Sequence, residues 1–426
     1  MKILIINHSD TRGGASVVSR RLLDAFISEG VDARMLVVHA SPEGLRNPRI
    51  ACAASPASVK RTFLAEEAWN WANIGFSRSD LFKIDSATFG LPLHRHPRVL
   101  EADAILLNWV NQGMLSLDEI GRIAAMGKRI VWTMHDMWPV TGICHHAGQC
   151  LQYTRSDAPC ARCPFVHGPT RLIPELSART ARRKIWLYDS IPDIEFVAVS
   201  SWLGRKAAES AITGGRRISV IPNVFPVDDF HTLPRTTRAE ACLPFPDDTQ
   251  LVLMGAARLD DPVKGFDTAV RVLNRLDSIR GRRPVAAVFF GQLRRPEVLD
   301  SLRLPHVHLG PIADKARIAE LYAHASAVLS TSHYETLPGT LIEGQAAGAW
   351  PVSFDRGGQA DIISDPSLGS LIPYGDDDSM AHALNDALAA DTPARREHLS
   401  AAVRAKYSPR TLVRKYMELL SAELAR

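Results

Sequence analysis

The chain has 426 residues, 46% of them apolar and 23% charged, with a formal net charge of +4. That length predicts about two to three domains, each able to bury its own core, and the weak basic balance argues against a nucleic-acid partner. No run approaches a transmembrane helix, and the N-terminus, MKILIINHSD, turns polar too soon for a secretory signal. The cytoplasm is therefore the expected compartment, with the six cysteines reduced unless a metal holds them.

An apolar strand is predicted at Lys2–Asn7, then a turn at Gly13-Gly14 and an amphipathic helix from Ala15 to Ser28. A second apolar run spans Ala33–Val38. Strand, glycine turn, helix and strand form the repeating unit of a parallel sheet. The pattern returns with a strand at Ile105–Trp109, a helix near Leu117–Met126 and a strand at Arg129–Asp136. Strands from Phe196 and Ile218 close this half. A proline-rich stretch, Phe225–Thr249, reads as a linker. A second α/β half follows, with strands from Leu251, Val285, His306, Ser326 and Trp350. The tail has helical apolar spacing. Two doubly wound sheets of this kind place ligands outside their strand carboxyl ends.

Several motifs at such ends carry chemistry. In STSHYETLPGTLIEGQAAGAWPVSF, Glu335 falls in the loop before a helix and Glu343 inside that helix, with Pro338 in its first turn. The amides of Thr336, Leu337 and Gly339 lie between the two acids, at a helix end that suits phosphate. A nucleotide sugar has matching hydroxyls at both ends and phosphate between them. Arg258 and Lys264, in ARLDDPVKGFD, follow the first strand of the second half and could neutralise a diphosphate. The adjoining Asp260-Asp261 and the helix-capping run Asp376–Asp378 do not read as metal sites. Gly13-Gly14 allows close approach of backbone to a ligand, but a dinucleotide G-x-G-x-x-G fingerprint is missing. His135-Asp136 ends a strand. Cys144, Cys150, Cys160 and Cys163, spaced C-x5-C-x9-C-x2-C, could enclose a structural zinc or remain clustered thiols; His145, His146 and His167 lie nearby.

The segment with both glutamates resembles the donor-binding motif of the retaining family-4 glycosyltransferases of GT-B fold. That family often has Phe-Gly or Phe-Pro where this chain has Thr336-Leu337-Pro338. The resemblance implies that Glu335 contacts the donor sugar and Glu343 the ribose. It further implies that Arg258 and Lys264 stabilise the departing diphosphate, that Gly13-Gly14 lies near phosphate and acceptor, and that His135 lies by donor sugar and acceptor. Asn223 matches the family's Pro-Asn turn before the linker. The block HDMWPVTGICHHAGQC…CARCP resembles a subgroup that assembles capsular, colanic-acid-like or other exopolysaccharides.

The implied architecture is α/β, two Rossmann-like domains facing across a cleft. Residues 1–225 form the acceptor-side domain with a Cys-rich insertion at 144–163, and 226–249 the linker. Residues 250–405 bind the donor, and 406–426 form a helix crossing back. The implied activity is retaining transfer from a nucleoside-diphosphate sugar to a glycan or lipid-linked acceptor, by front-face departure of the diphosphate, with no cofactor required. Arg95, His96 and Arg98 beside Leu91 and Leu93, and Arg179–Lys184 beside Trp186, suit peripheral contact with an anionic membrane. A related nucleotide-sugar epimerase, or a non-catalytic sugar-binding subunit, are the alternatives.

Overall fold

The computed structural model describes residues 1–166 and 173–421, so His167 lies outside the described residues. The chain divides into two compact units: Met1–Val224 together with the tail from Leu412, and Phe225–Thr411.

The first unit is built on seven strands: β1 (Lys2–Ile6), β2 (Asp32–Val37), β3 (Ile50–Cys52), β4 (Ala104–Leu107), β5 (Arg129–Met134), β6 (Glu195–Ala198) and β7 (Ile218–Val220). All pair in parallel, in the order β3-β2-β1-β4-β5-β6-β7. Ile6 sits between Leu36 and Leu107 in register. The strands read as continuous apolar runs because helices bury both faces of a parallel sheet. The tail helix, Pro409–Ser421, adds Leu412, Val413, Tyr416 and Leu420 to the core that holds Ile3, Leu106 and Val197. The Tyr416 hydroxyl stands 3.2 Å from Thr133 Oγ1.

The second unit has six strands: β8 (Gln250–Arg258), β9 (Val285–Gln292), β10 (His306–His308), β11 (Ala327–Ser330), β12 (Trp350–Phe354) and β13 (Ser370–Ile372). They are parallel, in the order β10-β9-β8-β11-β12-β13. Each sheet therefore reverses its direction of growth once, at β1/β4 and at β8/β11. Two parallel sheets with these switch points are the expected α/β architecture.

Two expected strands end earlier than their apolar runs. β4 stops at Leu107 and β5 at Met134, so Asn108-Trp109 and His135-Asp136 lie just beyond the carboxyl ends. β3 and the helices Pro56–Asn73 and Leu176–Asp189 lack a clear signal in the sequence pattern. The stretch 226–249 is packed within the second unit. Val227, Phe230 and Leu243 are buried. The Glu320 carboxylate accepts from the Arg235 and Thr236 amides at 2.9 and 3.1 Å, and pairs with His231 at 2.7 Å. Its prolines break periodicity, but these anchors make it part of a domain.

Candidate functional site

In the second domain the switch point gathers two separate stretches of chain. β8 ends at Arg258, and a short 3-10 turn, Pro262–Lys264, follows. Gly265 then takes φ +63, and a Cβ there would stand 2.3 Å from the Thr331 carbonyl. Only glycine permits so close an approach to β11's end. Thr331 Oγ1 donates to the carbonyls of Lys264 and Gly265, and the His333 amide to that of Val263. The two loops are thus stapled backbone to backbone.

Onto this frame the sequence places its cations and acids. Lys264 Nζ lies 2.5 Å from Glu335 Oε1, which also accepts from Ser332 Oγ at 3.0 Å. Arg258 Nη2 donates to Asp261 at 3.0 Å. The Glu335 carbonyl accepts from the Gly358 amide, and a Cβ on Gly357 would meet that carbonyl at 2.0 Å. Sequence reasoning missed this brace, because a glycine pair after a strand has many uses. The helix Gly339–Ala346 starts one residue later than expected, with Pro338 at its N-cap position. Thr336 and Leu337 lie in the loop before it, Gly339 opens it, and Glu343 is partly buried on it.

In the first domain Gly13 and Gly14 open the helix Gly14–Ser28, Gly13 at φ +88. A Cβ on either would meet nothing within 4 Å, so the space above them is open. Across the switch, Asn7 Oδ1 accepts the Trp109 amide at 3.0 Å, and the Trp109 carbonyl accepts the His8 amide at 2.8 Å. His135 Nε2 stands 2.8 Å from Asn108 Oδ1. Burial pushes His135 down to about 4, against the pull of Asp136. The ring is therefore neutral near pH 7 and donates to Asn108.

Asp136 faces a different partner, His145, at 2.7 Å, and accepts Trp109 Nε1 at 3.0 Å and the Trp138 amide at 2.8 Å. Burial alone would raise the carboxyl, but the His145 charge and hydrogen bond outweigh it and hold Asp136 at about 2. Burial alone would lower His145, and Asp136 outweighs that too, so His145 is raised. His145 stacks on Trp109 at 5.6 Å, and His8 meets that indole edge-on. Trp109, Asn108 and His8 were not predicted as site residues. Their position beyond apolar strands was the available signal.

All four cysteines of the loop are free thiols. They line one cavity of about 20 Å³ with Thr141 and Ser177. The Gly142 amide donates to Cys160 Sγ at 3.2 Å, and a Cβ on Gly142 would collide with Ser177 Oγ at 2.4 Å. Among the described residues no group of three or more His, Cys, Asp or Glu is arranged to hold a metal ion. Below the loop, Lys184 is fully buried, with Nζ bonded to the carbonyls of Trp138 and Thr141. Lys184 therefore leaves the expected surface patch, as do Leu91 and Leu93, which are buried. Trp186 remains, 71% exposed.

Compared with known proteins, the fold is of GT-B type. It is similar over 99% of the chain to Anabaena HepE, solved with UDP (TM-score 0.62, 16% identity, 100% of that chain). It is also similar over its full length to sucrose-phosphate synthase from Thermosynechococcus elongatus (TM-score 0.64, 17% identity, 99% of that chain). Within that fold, residues 243–406 match the family model described as Glycosyl transferases group 1. This range holds Arg258, Lys264, Glu335 and Glu343. The chain is 32% identical over 201 residues to D-inositol 3-phosphate glycosyltransferase of Thermobifida fusca. That match takes in 44% of this chain and about half, 46%, of the relative's length.

The histidines give a pH test. A His held near 4 when folded, against about 6.5 unfolded, binds fewer protons in the native state. Stability from His135 and His8 is thus present above about 6.5 and lost as pH falls toward 4. His145 has the opposite sign: its contribution is present below about 6.5 and is lost as pH rises through its raised folded value. Ring-proton NMR should show His135 titrating near 4 and His145 above 6.5, and Asp136→Asn should bring His145 down. Coincident titration of both rings near 6.5 would contradict these environments.

Proposed function

We propose that this protein is a retaining glycosyltransferase. It transfers a sugar from a nucleoside-diphosphate sugar to a growing glycan or lipid-linked acceptor in polysaccharide assembly. The observation that carries the proposal is the Lys264–Glu335 contact beside Arg258 at the β8/β11 switch, inside the family-matched segment. HepE, of similar fold, is a protein solved with UDP and with UDP-glucose.

Departure of the diphosphate breaks the bond between the sugar's anomeric carbon and the phosphate oxygen, and both electrons leave with that oxygen. In this scheme Arg258, Lys264 and the amides opening the helix Gly339–Ala346 stabilise that developing charge. The acceptor hydroxyl attacks from the same face and gives its proton to the departing phosphate, which yields retention. His135, neutral, serves as a hydrogen-bonding neighbour of donor and acceptor. No cofactor takes part in this scheme.

The roles of the two acids differ, and calorimetry with UDP, ADP and GDP separates them. Glu343→Ala should weaken nucleoside-diphosphate binding, because the ribose loses an acceptor. Glu335→Ala should lower turnover more than nucleotide affinity, since it also frees Lys264 for phosphate. Arg258→Ala and Lys264→Ala should each cost on the order of 100-fold in rate, and EDTA should leave transfer largely intact. Equal nucleotide affinity of wild type and Glu343→Ala would remove the ribose role.

Cys144, Cys150, Cys160 and Cys163 are proposed to bind one structural zinc, which would draw the four sulfurs onto a common centre. Their shared cavity and the amide bond to Cys160 support this. A closed four-thiolate site has no open position for substrate. Elemental analysis should find about one zinc per chain; less than about 0.2 would leave the loop with free thiols.

Peripheral association with the inner face of the cell membrane is proposed through the helix Leu176–Asp189. Arg179, Arg182 and Trp186 are exposed on one helix face. No helix among the described residues is long and apolar enough to cross a membrane. Trp186→Ala should release the protein from anionic vesicles in co-sedimentation at low salt. Unchanged pelleting of that variant would move the contact elsewhere.

A further inference from the structure

The adjacent acids of the cation loop, Asp260 and Asp261, have different work. Asp260 Oδ2 accepts the amides of Arg294 and Arg295 at 3.0 and 3.1 Å, tying the loop to the segment after β9. Its other oxygen stands 3.7 Å from Arg258 Nε, with no hydrogen bond between them.

Asp261 divides its two oxygens otherwise. Oδ2 holds Arg258 Nη2 at 3.0 Å, and Oδ1 accepts the Val263 amide at 3.1 Å, capping the turn Pro262–Lys264. Its carbonyl accepts the Lys264 amide at 2.8 Å. One residue thus touches both the cation before the turn and the backbone that presents the cation after it.

We propose that Asp261 is a positioning residue for the donor diphosphate: it sets the spacing of Arg258 and Lys264 and holds the Arg258 fork in place until phosphate joins it. The proposal rests on the nucleotide-sugar reading of this site. An arginine fork binds two oxygens lying in its own plane, and a flexible side chain tethered at one nitrogen has fewer orientations to lose on binding. The proximity of a carboxylate also opposes the incoming anion. Asp261 therefore trades ground-state affinity for orientation.

Two substitutions separate these effects. Asp261→Asn keeps an oxygen for the Val263 amide and removes the charge. UDP should then bind as tightly as in wild type or more so, while kcat falls about tenfold because the fork is no longer held. Asp261→Ala removes cap and charge together, and both UDP affinity and kcat should fall about tenfold. Calorimetry with UDP, ADP and GDP and steady-state kinetics read the split. A purely structural role would move both variants alike, so equal UDP affinity for Asn and Ala variants would overturn the inference. So would an Ala variant with wild-type kcat. If wild type binds none of the three diphosphates, the donor reading itself fails. If wild type binds and the variants match it, only the role of Asp261 fails.

Discussion

The constraint on which this protein depends is the reversal of strand order at the centre of each sheet. Right-handed crossovers send the loops after neighbouring strands to opposite faces wherever growth changes direction. A gap then opens at the carboxyl ends, lined by loop backbone and helix starts. β1/β4 and β8/β11 are those places, and nearly every candidate residue follows one of these four strands or β5. The apolar strands beneath are buried on both faces, so the loops above them rest on a rigid base.

Both gaps are crossed by short polar staples. In the first domain Asn7 reaches from β1 to the backbone after β4, and Trp109 is bound again through its indole to Asp136. In the second, Thr331 bonds the carbonyls of the cation loop, and Lys264 reaches Glu335 across 71 positions of sequence. These bonds leave the loops little freedom. Placement of charge by fixed backbone is what electrostatic catalysis needs, because the groups must not reorganise as the leaving group forms.

Both parallel sheets, and the charged residues in the loops at their strand ends, were legible in the chain; the staples were not. Arg258 ends and Lys264 follows the apolar run of β8, Glu335 and Glu343 follow the short run Ala327–Ser330, and a run's end marks the edge of a sheet. The helix Pro56–Asn73 was not legible, because Glu66, Asn70 and Asn73 occupy its buried side and erase the apolar period. Glu66 uses that burial to accept the amides of Ser86, Thr88 and Phe89. Lys184 misled for a related reason: a cluster of basic residues reads as a surface, yet its ammonium lies over the Trp138 ring at 3.4 Å and bonds two carbonyls. The prolines of 226–249 hid the buried Phe230 and Leu243. Local composition reports chain stiffness, and only tertiary contacts report where that chain rests.

The cations of the β8/β11 switch face carboxylates: Arg258 has Asp261 at 3.0 Å and Asp260 at 3.7 Å, and Lys264 has Glu335 at 2.5 Å. Partly exposed pairs of this kind contribute about 0–1 kcal/mol each, so exchanging Glu335 for phosphate at Lys264 would cost little, while Asp261 keeps its hold on Arg258. In the intact nucleotide sugar the bridging oxygen is bonded to carbon and carries no formal charge. As the bond to sugar breaks, the charge on the bridging oxygen grows, and in the proposed mechanism the same cations bind it more strongly. In the proposed mechanism Glu335, released from Lys264 by that exchange, accepts from a sugar hydroxyl beside the reacting carbon. Under the proposed mechanism the Lys264–Glu335 pair would link phosphate binding to the placement of the sugar through charge balance.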